Sequence, residues 1–94
     1  MSESVLQQLM ERIAARRREM PEGSYTAQLF AAGEQEIAKK VGEEGVEVVV
    51  AALAQDDARL LSESADLIYH LLVLLAQRGL AWAQVEEELA RRFR

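Results

Sequence analysis

The chain has no cysteine, so disulfides, thiolate zinc sites and cysteine nucleophiles are all excluded. Its one histidine limits metal chemistry further. One proline and five glycines leave few obligatory breaks in the backbone, and aromatic residues make up only 5% of the sequence. What fills the space instead is alanine, leucine, glutamate and arginine, with 50% of the residues apolar, the composition of a helical domain. These features predict a single all-α domain over residues 1–94, of a size at which oligomerisation commonly helps to complete burial.

Positive charge is outnumbered as well, by 16 acidic residues to 11 basic ones. The net charge of −5 opposes a general nucleic-acid binder, because phosphate backbones need a basic face. Three local clusters could each meet a small phosphorylated ligand: Arg16, Arg17 and Arg18; Lys39 and Lys40; and Arg91, Arg92 and Arg94. The first and last read more simply as solvated helix ends. Long hydrophobic runs are missing too. Residues 67–76, the longest run, are interrupted by His70 and fall well short of a bilayer span, and the N-terminal stretch "MSESVLQQLMERIAARRREM" has no apolar core of a signal peptide. A soluble, cytoplasmic protein with no membrane partner is expected.

Capping and periodicity predict five helices. Ser2 or Ser4 caps a first helix that runs to about Glu19, where Pro21 and Gly23 end it. Ser24 caps a short second helix that stops at Gly33. A long helix over 34–54, the turn "QDD", a second long helix over 58–78 stopped by Gly79, and a last helix over 83–93 follow. Within the fourth helix, residues 67–75 are apolar nearly all round, so a second copy of the chain is the expected cover.

The stretch "KKVGEEGVEVVVAA", residues 39–52, breaks the rules of a plain amphipathic helix. Ile37, Val41, Val48 and Ala51 fall within about 80° on a helical wheel, and Glu44 falls inside that stripe. Gly42 and Gly45 each cost roughly 0.5–1 kcal/mol relative to alanine in mid-helix. Glu44 and Glu47 are three apart, as are Glu63 and Asp66 in the next long helix, so each pair shares a face. Two antiparallel helices joined by a short turn can set these pairs opposite each other, with His70 one turn beyond Asp66. Four converging carboxylates need a cation, and oxygen-only ligation favours a hard ion, Mg²⁺ or Mn²⁺, which accepts phosphate oxygens into its shell. Either acidic pair alone is more often a solvated face; their recurrence on successive helices, both phased to the apolar side, is what points to phosphoryl chemistry. A di-iron bundle wants a Glu-x-x-His in each of two helices, and the sequence has none.

"EExxE" at Glu43, Glu44 and Glu47, followed by "ExxD" at Glu63 and Asp66, resembles the MazG-like all-α nucleotide pyrophosphatases. "PEGSYTAQLFAAG" at 21–33, "KKVGEEGVE" at 39–47 and "ESADLIYHLLVLL" at 63–75 narrow the resemblance to the phosphoribosyl-ATP pyrophosphatase family of histidine biosynthesis, over almost the whole chain. The resemblance implies an antiparallel helical bundle completed by homodimerisation. It implies Mg²⁺-dependent hydrolysis of the α–β phosphoanhydride of a small-molecule nucleotide, phosphoribosyl-ATP, giving phosphoribosyl-AMP and pyrophosphate. In some relatives the domain is fused to the cyclohydrolase of the next step, for which this chain is too short.

Residues and resemblance together make Glu44, Glu47, Glu63 and Asp66 the expected metal ligands. Glu43 is the candidate to orient or deprotonate the attacking water, or else a further ligand. The glycines let a triphosphate or a second helix approach, or simply serve helix packing. Lys40, and Lys39 beside it, either contact a phosphate or pair with Glu43 or Glu44. Ser24, Tyr25 and Thr26 resemble the family's substrate-side segment, and Tyr69 and His70 are expected to act likewise, a hydrogen-bonded core histidine being the default for His70. The competing functions are a house-cleaning nucleotide pyrophosphatase and a non-enzymatic helical dimerisation module.

Overall fold

The structure, a computed structural model, describes residues 4–93. Among these it contains five α-helices and no strand: α1 Val5–Glu19, α2 Tyr25–Ala32, α3 Glu34–Ala54, α4 Asp57–Gln77 and α5 Trp82–Arg92. The expected boundaries hold to within a residue or so because the caps are where the sequence puts them. Ser4 accepts a hydrogen bond from the Gln7 amide, Ser24 from Ala27 and Asp56 from Arg59, each satisfying an amide that the first turn leaves orphaned. Ser2, the alternative cap, lies outside the described residues, as does Arg94.

The stops differ from one another. Gly79 takes a left-handed φ of 71° after α4, which lets the Leu80 amide reach back to the Leu75 carbonyl at 2.8 Å. Met20 does the same work after α1 at φ 47° without being a glycine, and Pro21 then prevents the helix from resuming.

The core is built around the C-terminal half of α4. Leu72, Val73 and Ala76 meet Ile13 of α1, Leu29 and Phe30 of α2, and Ile37 of α3, with Leu6, Leu9, Met10 and Trp82 partly buried against them. At about 1.5–3 kcal/mol for each large side chain removed from water, this cluster is the main source of stability. The extensive contact between α3 and α4 positions the site. Glu34 at the start of α3 pairs with Arg78 just after α4, at 3.6 Å, while a two-residue connection joins their other ends.

Two features stand out here. Within one chain His70, Leu72 and Val73 are buried and the other residues of 67–75 are half-buried, packed against α1, α2 and α3. A row of exposed apolar side chains lies on α3, where Val46, Val49, Val50 and Leu53 recur at one-turn spacing and are 41–83% exposed, with Leu61 of α4 at 72%. The Arg16–Arg18 cluster is also more than a solvated end. Arg17 donates to the Ala76 and Gln77 carbonyls at the end of α4 and lies over the Phe30 ring, 5.8 Å from its centre, so it caps a neighbouring helix. By length and composition α4 alone, among the described helices, is apolar enough to cross a membrane, but here it is the central core helix.

Candidate metal centre

Three of the four expected ligands come together. Glu44 from α3 and Glu63 and Asp66 from α4 have carboxylate oxygens that all lie within 4.8 Å of one another. Glu63 is buried, Glu44 half-buried and Asp66 exposed, so the trio spans the rim of the helix pair from interior to solvent. The local reason is periodicity. Glu44 occupies the inward stripe of α3 between Val41 and Val48, and Glu63 and Asp66, one turn apart, share the side of α4 that faces it.

Like charges at such separations repel by roughly 4 kcal/mol per pair at 4 Å and an effective dielectric of about 20. The donors are all carboxylate oxygens, with no sulfur or imidazole, which suits a hard divalent cation. The residues therefore fit Mg²⁺ or Mn²⁺.

Glu47 is not in the trio. It is exposed, about 60° round the helix from Glu44. Glu43 is exposed as well and pairs with Lys40 at 3.8 Å, the ion pair being one of the two expected roles of Lys40; Lys39 is exposed. Exposed pairs of this kind contribute about 0–1 kcal/mol, so Lys40 is readily released to another anion.

His70 cannot serve as a ligand in this arrangement, because both ring nitrogens are engaged. A carbonyl oxygen only accepts, so Nδ1–H donates to the Asp66 carbonyl at 2.7 Å, and Nε2 accepts from the Tyr25 hydroxyl at 2.9 Å. The Thr26 hydroxyl is hydrogen-bonded to the Tyr69 hydroxyl. The three rings form one cluster: Tyr25 and Tyr69 stack with centres 6.3 Å apart, and His70 stands edge-on to Tyr69 at 5.0 Å. Burial pushes the Tyr69 phenol above its usual range, the Thr26 hydrogen bond opposes this, and Tyr25 adds to the rise, so Tyr69 stays neutral. The first turn of α2 is thus fastened to α4 one turn beyond Asp66. Ser24 accepts from the Ala27 amide in the cap of α2 and keeps its hydroxyl proton and a second lone pair.

The glycines are not explained by packing within the chain, since a Cβ added at Gly42 or Gly45 would meet nothing within 4 Å. A cleft of about 520 Å³ between α1, the end of α4 and the start of α5 is lined by Met10, Ala14, Leu80 and Trp82 and includes none of the expected site residues. Sequence reasoning missed Arg59, which pairs with Glu63. The signal was available as an i, i+4 spacing.

The model of the phosphoribosyl-ATP pyrophosphohydrolase family matches residues 6–93. The chain belongs to this family. It is 58% identical to the phosphoribosyl-ATP pyrophosphatase of Metallosphaera sedula over 96% of its own length and 97% of that protein. With the phosphoribosyl-ATP pyrophosphatase of Pyrobaculum calidifontis it shares 54% identity over 100% of both chains. It is also 54% identical to part of a bifunctional histidine biosynthesis protein of Photobacterium profundum, where 93% of this chain covers 42% of that protein. Membership makes the chain an enzyme, a pyrophosphohydrolase.

Proposed function

We propose that this single-domain chain hydrolyses phosphoribosyl-ATP at the α–β phosphoanhydride, releasing phosphoribosyl-AMP and pyrophosphate, in the cytoplasm and in histidine biosynthesis. The observation that carries the reading is the convergence of Glu44, Glu63 and Asp66 from two helices, in a chain of this family. Those three residues, with Glu47 as the fourth, would hold Mg²⁺, with Mn²⁺ as a substitute. When bound, the ion neutralises charge on the triphosphate and fixes its orientation.

The chain's own side chains supply the rest. Glu43, exposed and next to Glu44 in the chain, orients a water and accepts its proton as the water oxygen attacks phosphorus and the bridging P–O bond breaks. Lys40, released from Glu43, and Lys39 meet phosphate oxygens. Ser24, Tyr25, Thr26, Tyr69 and His70 form the wall on which the ribose and phosphates of the substrate rest, with His70 held in one tautomer by the Asp66 carbonyl.

The same reading makes the molecule an antiparallel bundle completed by a second copy. Its support is the exposed stripe Val46, Val49, Val50 and Leu53, whose spacing suits packing against an identical helix. Val49→Glu is expected to yield a monomeric mass by light scattering, and a parent that is itself monomeric at micromolar concentration would overturn the dimer.

Product analysis tests the activity. Phosphoribosyl-ATP should be cleaved to pyrophosphate with Mg²⁺ and not with EDTA, in preference to a panel of NTPs and dNTPs; a broad dNTP profile would favour a house-cleaning enzyme. Asp66→Asn should lower turnover by at least about a hundredfold, the upper end of what even an outer-shell partner of a metal costs, with helical circular dichroism intact.

A further inference from the structure

The carboxylate trio carries a cation of its own. Arg59 reaches one turn along α4 and hydrogen-bonds the Glu63 carboxylate, the most buried of the three. Its backbone is fixed by the helix cap, since the Arg59 amide donates to Asp56 at 2.9 Å, so the guanidinium is delivered from a rigid base. Glu44 and Asp66 have no ion-pair partner among the described residues. One guanidinium therefore answers three converging negative charges. The Glu63 side chain is 9% exposed while that of Arg59 is 52% exposed, so the carboxylate cannot leave the site but the arginine can swing to solvent.

We propose that Arg59 is the internal counter-ion of the trio and competes with a divalent cation for Glu63. This rests on the reading that the trio takes such a cation. A buried carboxylate without any partner is strongly unfavourable, and an arginine in bonding contact makes the metal-free chain tolerable. The same positive charge, placed against a ligand oxygen, repels an incoming Mg²⁺ or Mn²⁺. Arg59 thus sets the affinity of the site downward, and its fork is set free, next to the site, as the ion arrives.

Titration calorimetry with Mn²⁺ on the parent, Arg59→Met and Arg59→Lys tests this without reference to turnover. Arg59→Met keeps the aliphatic stem and removes the charge. It should bind Mn²⁺ about three- to tenfold more tightly, as expected for deleting a nearby like charge in a partly solvated site. In EDTA the same variant should melt below the parent, because Glu63 loses its partner. Arg59→Lys retains a cation and should stay within about twofold of the parent affinity. Unchanged or weaker Mn²⁺ binding by Arg59→Met overturns the competition while leaving the metal site standing. A parent that binds no Mn²⁺ overturns both. Guanidinium nitrogen resonances of the parent give a readout that needs no variant to fold. The Arg59 N–H protons should exchange faster with water as Mg²⁺ is added, and exchange that stays slow at saturation overturns the proposal.

Discussion

The two faces of α3 use the same kinds of residue to opposite ends. The inward face runs Ile37, Val41, Glu44, Val48, Ala51, and it is closed at both ends by fully buried apolar side chains, with a half-buried carboxylate in the middle. The outward face, nearly opposite on the wheel, runs Gly42, Val46, Val49, Leu53, and everything on it is exposed. One face buries a charge among valines and the other leaves valines in water. Hydrophobicity alone explains neither. The inward exception is accounted for by the carboxylates of α4 that Glu44 meets, and the outward one by a surface that a lone chain leaves uncovered.

The largest expected effect comes from breaking the inward face where it is dry. Ile37 is 0% exposed and belongs to the cluster with Leu72, Val73 and Phe30. Ile37→Ala should cost roughly 2–5 kcal/mol, the range for truncating a large buried aliphatic side chain. Urea denaturation measures it, and a loss below about 1 kcal/mol would mean that α3 is held mainly from its other side.

A smaller effect of opposite sign is expected two turns further on. Glu44→Leu removes one of three mutually repelling carboxylates and makes the apolar stripe continuous from Ile37 to Ala51. In EDTA the variant should gain about 1 kcal/mol, a rise of roughly 4–8 °C in Tm for a domain of this size, and it should be inactive. Mg²⁺ should raise the Tm of the parent by binding the native site and should act much less on the variant, so the gap narrows or reverses. Parallel melts with and without Mg²⁺ decide the matter; equal shifts in both proteins would remove Glu44 from the cation site.

These contrasts also mark what the sequence could reveal. The five helices were legible because Ser4, Ser24, Gly79 and the turn at 55–57 signal ends locally, and Glu44, Glu63 and Asp66 were legible because helical periodicity fixes which face a residue occupies. Periodicity does not fix the angle at which a face meets its neighbour, so it could not separate Glu44, which joins the trio, from Glu47, which stands about 60° away in solvent. Nor could it say which apolar stretch the chain would cover for itself. The partial burial of residues 67–75 within the chain depends on contacts with α1, α2 and α3 that are remote in sequence. Arg17 was legible only as a charge and Arg59 only as an i, i+4 partner of Glu63, since the carbonyls of α4 and the burial of Glu63 that give them their roles are tertiary facts.

The smallest effect sharpens the outward half of the comparison. Gly42 lies within about 40° of Val46 and about 20° of Val49 and Leu53 on the wheel, at the head of the exposed stripe, and an added methyl there meets nothing in the chain itself. Within one protomer Gly42→Ala should therefore stabilise α3 by roughly 0.5–1 kcal/mol, the ordinary gain for glycine to alanine in a helix. Against a second copy the same methyl would stand where the two helices come closest, and it would hold them apart. The two consequences separate with concentration, because only the dimer gains stability as protein is added. At low micromolar concentration Gly42→Ala should melt above the parent, by a few degrees at most. Over a hundredfold rise in concentration the parent's Tm should climb more steeply and overtake it. Parallel curves would show that no helix seats on Gly42, and a variant that melts lower at every concentration would show that the glycine is needed within the protomer.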